Sequence, residues 1–126
     1  MYSGNIVSAA RGKAGEDFVV QYLKDNGYII LKRNWRDSRY GELDIVAENR
    51  ENIVFVEVKT RNSNAVVSGV EAVDSAKQRR IRNAVQTFMK RLRTTLSPRI
   101  DVAEVVLVSE KDGQFQFELN YILNAF

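Results

Sequence analysis

The chain has 126 residues, of which 44% are hydrophobic, and it contains neither cysteine nor histidine. These counts fit one globular domain spanning residues 1–126, and they exclude thiolate or imidazole metal sites and catalytic systems that need a histidine base. Lysine and arginine exceed aspartate and glutamate by 19 to 16, a net charge of +3 that permits a polyanionic partner without requiring one.

The predicted elements are, in chain order, a helix, three strands, a second helix and two further strands. Gly27 closes the first helix, since glycine readily takes the left-handed conformation just past a helix end. Asp74 is the predicted N-cap of the second helix. The predicted helices cover residues 9–26 and 75–93, and the predicted strands cover residues 28–32, 42–47, 53–60, 101–109 and 114–119. This order predicts an α/β fold in which a mixed sheet is flanked by helices.

No apolar run approaches the roughly 18 residues that a membrane-spanning helix needs. Residues 1–5 also lack the charged and then apolar pattern of a signal peptide. We therefore expect a cytoplasmic protein with no membrane partner, and no repeat or linker suggests a second domain.

The second and third strands are predicted to form a β-hairpin around a polar loop at residues 49–52. If that loop is centred between residues 50 and 51, antiparallel pairing places Asp44 directly opposite Glu57. The same register places Glu42 opposite Lys59. Because side chains alternate between the faces of a strand, Asp44, Glu57 and Lys59 share one face. The other face is apolar and consists of Leu43, Ile45, Ala47, Val54, Val56 and Val58.

Two carboxylates directly opposite one another, with Cβ atoms about 5 Å apart, destabilise a hairpin unless a positive charge lies between them. A divalent cation removes that penalty, and hard oxygen ligands favour Mg²⁺ or Mn²⁺. Because the chain has no histidine, Lys59 is the predicted group for proton transfer. A second interpretation stays open, in which Glu57 and Lys59 form an ordinary salt bridge on the solvated face of the sheet.

Glu16 lies on the apolar stripe of the first helix, together with Val19, Val20 and Leu23. One interpretation places Glu16 at the edge of the stripe, where it reaches solvent and favours the positive end of the helix dipole. The other makes Glu16 a third carboxylate that points toward the hairpin site.

The second helix carries basic residues beside an apolar stripe. The stripe is predicted core and consists of Ile81, Ala84, Val85, Phe88, Met89 and Leu92. One turn earlier, Lys77 and Gln78 lie near the helix N-terminus, which favours an anion such as phosphate. Arg79 and Arg82 lie on the far side, and no acidic residue occurs between residues 75 and 98. That far side is either a solvated face or a track for nucleic-acid phosphates.

Further positive charge surrounds the hairpin, from Arg36, Arg39 and Arg61. Trp35 and Tyr40 lie among these arginines. Their rings either stack on nucleic-acid bases or pack within the protein.

The order Glu16, Asp44 and Glu57-Val58-Lys59 resembles the PD-(D/E)XK nuclease superfamily, which includes the archaeal Holliday-junction resolvases and lambda-exonuclease-like enzymes. Over most of its length the chain more closely resembles the small bacterial YraN-like family, through residues 41–47, 54–61 and 99–102. The superfamily motif has a proline immediately before its aspartate, and this chain does not.

The resemblance implies the restriction-endonuclease-like fold, a mixed sheet flanked by helices with an αβββαβ core. It implies that Asp44 and Glu57 hold Mg²⁺ with help from the Val58 carbonyl group, and that Glu16 completes the acidic cluster. It also relates Gln78 to the helix glutamine of some superfamily members.

The resulting hypothesis is metal-dependent hydrolysis of phosphodiester bonds in DNA, including branched or recombination and repair intermediates. A homodimer with two such sites would suit a branched junction. Two other functions stay open, a non-catalytic nucleic-acid-binding protein of the same fold and a protein-interaction domain that binds no nucleic acid.

Overall fold

The computed structural model describes residues 3–37, 39, 41–63 and 73–126. Within these ranges the chain forms two helices and five strands in the predicted order. The helices are α1 (Ser3–Asp25) and α2 (Ser75–Leu92), and the strands are β1 (Ile29–Asp37), β2 (Gly41–Glu48), β3 (Asn52–Asn62), β4 (Ser97–Lys111) and β5 (Gln114–Ile122).

The five strands form one sheet in the order β1-β2-β3-β4-β5. Strands β3 and β4 are parallel, with α2 in the connection between them, and the other neighbouring pairs are antiparallel. The predicted mixed sheet flanked by helices is thereby confirmed, and it is consistent with the restriction-endonuclease-like fold. In the part of the chain that the structure describes, no helix is both long and apolar enough to cross a membrane.

Several predicted boundaries were wrong, and the largest differences are at the starts of α1 and β4 and the end of β1. Helix α1 begins at Ser3 rather than near residue 9, and β1 continues to Asp37 instead of ending at residue 32. Strand β1 lies at the edge of the sheet, where polar side chains are tolerated on a half-exposed surface. Strand β4 begins at Ser97 and contains Pro98, which pairs with β3 before the pairing with β5 starts at Val102. The missing N–H of Pro98 therefore faces no neighbouring strand on the β5 side.

Each face of the sheet is covered by one helix, so the central strands are buried on both faces. The α1 side of the core contains Val19, Val20, Leu23, Ile45, Ala47, Val54 and Val56, and the α2 side contains Val46, Ile53, Phe55, Ile81, Ala84 and Phe88. The alternative interpretation, in which Glu57 and Lys59 lie on a solvated face of the sheet, was therefore wrong for Glu57, whose side chain is 5% exposed. Strict alternation would place Leu43 on the same face as Ile45, but Leu43 packs on the α2 side and Ile45 on the α1 side.

The predicted hairpin register is confirmed for the four pairs nearest the loop, from Glu48–Ile53 to Ile45–Val56. The ladder between β2 and β3 ends there. Beyond that point β2 continues to pair with β1 as far as Gly41, and β3 continues to pair with β4 as far as Asn62. The predicted ladder pairs beyond Ile45 do not form, and the two strands open a fork at one end of the sheet.

Helix α2 has the predicted boundaries because both of its ends are capped. The carboxylate of Asp74 accepts a hydrogen bond from the Lys77 N–H at 2.8 Å, which satisfies one of the free donors of the first turn. At the other end Arg93 takes the left-handed conformation, and its N–H donates to the Met89 carbonyl.

Candidate active site

Asp44 bridges the fork between β2 and β3. Its Oδ2 accepts a hydrogen bond from the Val58 N–H at 2.8 Å. This side-chain bond links β2 to β3 just beyond Ile45–Val56, the last backbone pair of the two strands. Glu57 lies beside Asp44, close enough for their carboxyl groups to hydrogen-bond, and its side chain is only 5% exposed. Two acids are thus in contact where the strands diverge.

Burial and the neighbouring charge of Glu57 raise the pKa of Asp44 from 3.8 to about 7. The Val58 N–H opposes this shift, and the charge of Glu42 adds to it. Near neutral pH the Asp44 carboxyl therefore binds a proton about as readily as it loses one.

Two lysines contact the same oxygen of Glu57. The Nζ of Lys77 lies 2.9 Å from Glu57 Oε1, and the Nζ of Lys59 lies 3.6 Å from it. Burial and then the hydrogen bond and charge of Lys77 lower the pKa of Lys59, although both acids oppose that shift. Burial also acts against the charge of Lys77, but bonds to Glu57 and Lys59 raise its pKa. Of the two amines, Lys59 is the one that gives up its proton more readily.

Glu16 faces the same cleft as Asp44. Its Oε1 accepts hydrogen bonds from Arg33 Nε at 3.0 Å and from Asn34 Nδ2 at 3.1 Å, and its side chain is 14% exposed. Because α1 begins at Ser3, Glu16 lies in the middle of the helix, and the helix-dipole interpretation was wrong. Among the described residues, no three acidic side chains form a group that could by itself hold a metal ion.

Helix α1 can bring Glu16 this close because Gly15 precedes it. A Cβ atom on Gly15 would lie well inside contact distance of Thr60 Oγ1 on β3. The absent side chain therefore lets the helix approach the strand that carries Glu57 and Lys59.

The main cleft lies between α1 and the open end of the fork and has a volume of about 530 Å³. Both signs of charge line it, with carboxylates from Glu16, Glu42 and Asp44 and cationic groups from Arg11, Lys59 and Arg61. On the α2 side of Asp44 is a smaller cleft of about 250 Å³, which Glu57 and Lys77 line. Asp44 lines both clefts, so it lies between them.

The predicted basic residues do not form one surface. Arg61 lines the main cleft, but it forms an ion pair at 2.6 Å with the buried Glu104. Arg36 forms an exposed pair with Glu42 at 2.9 Å. Lys77 lines the smaller cleft. Three others, all exposed, lie outside both clefts and are Arg39, Arg79 and Arg82. Arg82 lies over the Phe126 ring, with its guanidinium 5.4 Å from the ring centre.

Gln78 and Trp35 have structural partners. The Gln78 side-chain amide donates a hydrogen bond to the Val73 carbonyl at 2.9 Å and so fastens the segment that precedes α2. Trp35 packs edge-on against Phe88 at 5.4 Å, which favours the packing interpretation over base stacking. Tyr40 lies outside the described residues.

Two residues that line the clefts, Arg80 and Asn34, were not predicted from the sequence. Arg80 lines the smaller cleft, and its position three residues after Lys77 is a signal that helix periodicity could have supplied. Asn34 lines the main cleft and has a positive φ of 51°, a conformation that asparagine tolerates better than most residues. Its contact with Glu16 joins separate elements and carries no local sequence signal.

The chain belongs to the family described as "Uncharacterised protein family UPF0102", which matches residues 15–105. A "UPF0102 protein" of Acetivibrio thermocellus is 41% identical over 118 residues, covering 93% of this chain and 91% of the relative. A "UPF0102 protein" of Syntrophomonas wolfei is 43% identical over 115 residues, covering 91% and 96%. A third, from Bacteroides thetaiotaomicron, is 39% identical over 115 residues, covering 91% and 90%. The resemblance to a small bacterial family is thereby confirmed.

Proposed function

We propose that this chain is a Mg²⁺-dependent nuclease-like protein that hydrolyses phosphodiester bonds in DNA in the cytoplasm. The observation that supports this proposal is the contact between Asp44 and Glu57 at the fork, with a lysine amine 3.6 Å from the second acid. A buried carboxylate beside a half-buried one is costly in a fold unless the two serve a ligand or share a proton.

The residues present fit a divalent cation. Asp44 and Glu57 supply hard oxygen ligands, Val58 supplies a backbone carbonyl between Glu57 and Lys59, and a cation would relieve the repulsion that raises the pKa of Asp44. When bound, Mg²⁺ or Mn²⁺ would supply Lewis-acid stabilisation of the charge that develops on the phosphate. Lys77 would have to release Glu57 Oε1, which it now contacts at 2.9 Å.

Lys59 would accept a proton from the attacking water or hold that water in line. Its lowered pKa favours the first role, because a neutral amine is more accessible there than on an ordinary lysine. Its cationic form would stabilise negative charge on the phosphate. Glu16, fixed by Arg33 and Asn34, would position water or ligand from the opposite wall of the cleft.

The preference for DNA, and for branched or repair intermediates, is part of the proposal. It is supported by the cations that line the main cleft, Arg11, Lys59 and Arg61. Arg11 and Arg61 would have to exchange their carboxylate partners for phosphates. A homodimer would present two such clefts to the two strands of a junction.

One observation favours a second candidate function, a non-catalytic nucleic-acid-binding protein. Lys77 already contacts Glu57 as an internal counter-ion, so half of the acid pair is compensated by the chain itself. In that case the carboxylates would be structural, and the arginines alone would contact nucleic acid.

The decisive experiment is a binding and cleavage screen of the purified protein over linear, flapped, four-way and single-stranded DNA, and matched RNA. Each substrate is tested with Mg²⁺, Mn²⁺ or EDTA, beside Lys59→Ala. The nuclease proposal expects cleavage that needs the metal and is lost with Lys59→Ala. Binding without cleavage in every metal would favour the second candidate, and binding insensitive to salt would favour a protein-interaction domain.

Calorimetry with Mg²⁺ or Mn²⁺ tests the metal separately from activity. Titration should show saturable binding that disappears with Glu57→Ala. Arg50→Ala is a matched control, because Arg50 is exposed in the loop at the far end of the hairpin. Equal heats for the wild-type protein and Glu57→Ala would contradict the proposed metal site.

A further inference from the structure

The smaller cleft differs from the main cleft in carrying an uncompensated positive charge. Arg80 lines it on the α2 side, one helical turn after Lys77. Arg11 and Arg61, the two arginines of the main cleft, form ion pairs with carboxylates at 2.8 Å and 2.6 Å. Within the described ranges, by contrast, Arg80 has no hydrogen-bond or ion-pair partner.

Most of the acids around Arg80 are already paired. Glu42 contacts Arg36 at 2.9 Å, and Glu57 contacts Lys77 at 2.9 Å. The guanidinium of Arg80 is therefore the charge in this cleft that is left for a ligand. An anion that is held by a planar, always charged group is typically a phosphate or a carboxylate.

Asp44 lines both clefts, which places the smaller cleft next to the acid pair on the side away from α1. Every nucleotide of a strand carries a phosphate, so a strand with one phosphate at Asp44 has further phosphates on either side of it. Asp44 and Arg80 line the same cleft, which allows one of those phosphates to approach Arg80. Gly41 also lines this cleft, and the space where its Cβ would lie is open, so the wall leaves room for a strand.

We propose that the smaller cleft is a second phosphate-binding subsite, in which Arg80 holds the phosphate adjacent to the one at Asp44. This inference rests on the proposed function, since it assumes that a nucleic-acid strand occupies the main cleft. Arg80 is a positioning residue here. It fixes the register of the strand against the acid pair and takes no part in proton transfer.

The test compares DNA binding by Arg80→Ala, Arg79→Ala and Arg50→Ala, each with Ca²⁺ in place of Mg²⁺, so that an oxygen-binding cation is present and Asp44 is unchanged. Arg79 is exposed on the same helix and lies outside both clefts. Arg50→Ala removes one positive charge at the far end of the hairpin. Fluorescence anisotropy over a series of salt concentrations gives the affinity and its salt slope for single-stranded and duplex oligonucleotides. Thermal melting verifies that each variant is folded.

Arg80→Ala is expected to weaken binding about tenfold and to lower the salt slope by about one, as loss of one phosphate contact requires. The other two variants should change affinity by less than about twofold. In the cleaving protein, Arg80→Ala should raise KM more than it lowers kcat. Oligonucleotides that carry a 5′-phosphate or a 5′-hydroxyl show whether Arg80 binds a terminal or an internal phosphate. A loss of affinity for either oligonucleotide supports the subsite if it is confined to Arg80→Ala.

Equal losses for Arg79→Ala and Arg80→Ala would overturn the subsite, because they would show a diffuse effect of helix charge. If Arg80→Ala changes neither the affinity nor the salt slope, the subsite is overturned as well. The proposed function stays intact in that case, provided that the parent protein binds DNA. A parent protein that binds no DNA would overturn both.

Discussion

Asp101 and Glu57 are both buried, and Asp44 beside Glu57 is half-buried, yet the surroundings of Asp101 and of the Asp44–Glu57 pair differ in kind. Asp101 on β4 is fully buried and receives two hydrogen bonds from Arg99, at 2.9 Å and 3.0 Å. The Tyr121 hydroxyl donates at 2.6 Å, and the Asn124 N–H donates at 2.9 Å. Both oxygens of Asp101 are thus satisfied by groups that come from β4 and the end of the chain.

The Asp44–Glu57 pair has a much poorer set of partners. Within the described residues, the one neutral donor to Asp44 is the Val58 N–H, and the two lysines crowd a single oxygen of Glu57. The comparison teaches that burial alone does not mark a functional acid. A buried acid whose acceptors are all used is structural, and a buried acid that faces another acid is available to a ligand.

The largest expected effect is on cleavage. Asp44→Asn should reduce metal-dependent DNA cleavage by about 1,000-fold or more, since it removes a metal ligand and the charge that acts on the phosphate. Asp101→Asn should leave the rate per folded molecule nearly unchanged. A nuclease assay at equal concentrations of folded protein measures both. Undiminished cleavage by Asp44→Asn would end the assignment of the acid pair.

The next effect is on the free energy of unfolding, for which Asp101 should matter more than Asp44. Asp101→Asn should lower the free energy of unfolding by about 3 kcal/mol, because Arg99 would lose its carboxylate in a buried network. Asp44→Asn should be neutral or stabilising, because it removes the repulsion between Asp44 and Glu57. Urea unfolding followed by circular dichroism measures both. A larger loss for Asp44→Asn than for Asp101→Asn would reverse the roles of the two regions.

The pH dependence of stability should also distinguish the two acids. The folded pKa of Asp44, about 7, exceeds the ordinary 3.8, so the folded state binds this proton more tightly than the unfolded state. The resulting stabilisation is fully present below pH 3.8 and is lost as the pH rises through about 7.

In EDTA, the difference in unfolding free energy between wild type and Asp44→Asn should therefore change by up to about 4 kcal/mol across that range, with wild type relatively weaker at high pH. Urea unfolding at several pH values measures this difference. A difference that stayed constant with pH would contradict the raised pKa.

The smallest effect concerns the packing that brings α1 to the site. Gly15→Ala should lower the unfolding free energy by about 1 kcal/mol, because the new Cβ collides with Thr60 and must displace α1 or β3. Gly12→Ala is the matched control, since no heavy atom lies within 4 Å of its added Cβ. That change should stabilise the helix by up to about 1 kcal/mol. Equal stabilisation by both substitutions would show that α1 does not approach β3 closely.

Much of the fold could be predicted from local patterns. The N-cap at Asp74, the end of α1 before Gly27 and the register around residues 49–52 all depend on contacts between near neighbours in sequence. Each is therefore encoded in a short segment. The register failed one pair beyond Ile45–Val56, because pairing with β1 and β4, and not the hairpin alone, determines the course of the strands there.

The proximity of the two acids at the candidate site could be predicted from the sequence, but the ion pairs around them could not. Asp44, Glu57 and Lys59 stand on adjacent strands, so loop length and alternation predicted that they lie near one another, although the predicted ladder pair of Asp44 and Glu57 does not form. The partners of the cationic residues could not be predicted in this way. Arg61 pairs with Glu104, and Lys77 contacts Glu57 across the connection from β3 to α2.

The sequence by itself determined the chemistry that is open to this protein. Any metal ion would be left with oxygen ligands, and lysine is the side-chain amine available for proton transfer, because the chain has neither histidine nor cysteine. The tertiary structure decided which charges are left uncompensated. Burial and ion pairing depend on groups that come from distant elements, and only the packing of two helices on both faces of the sheet brings those groups together.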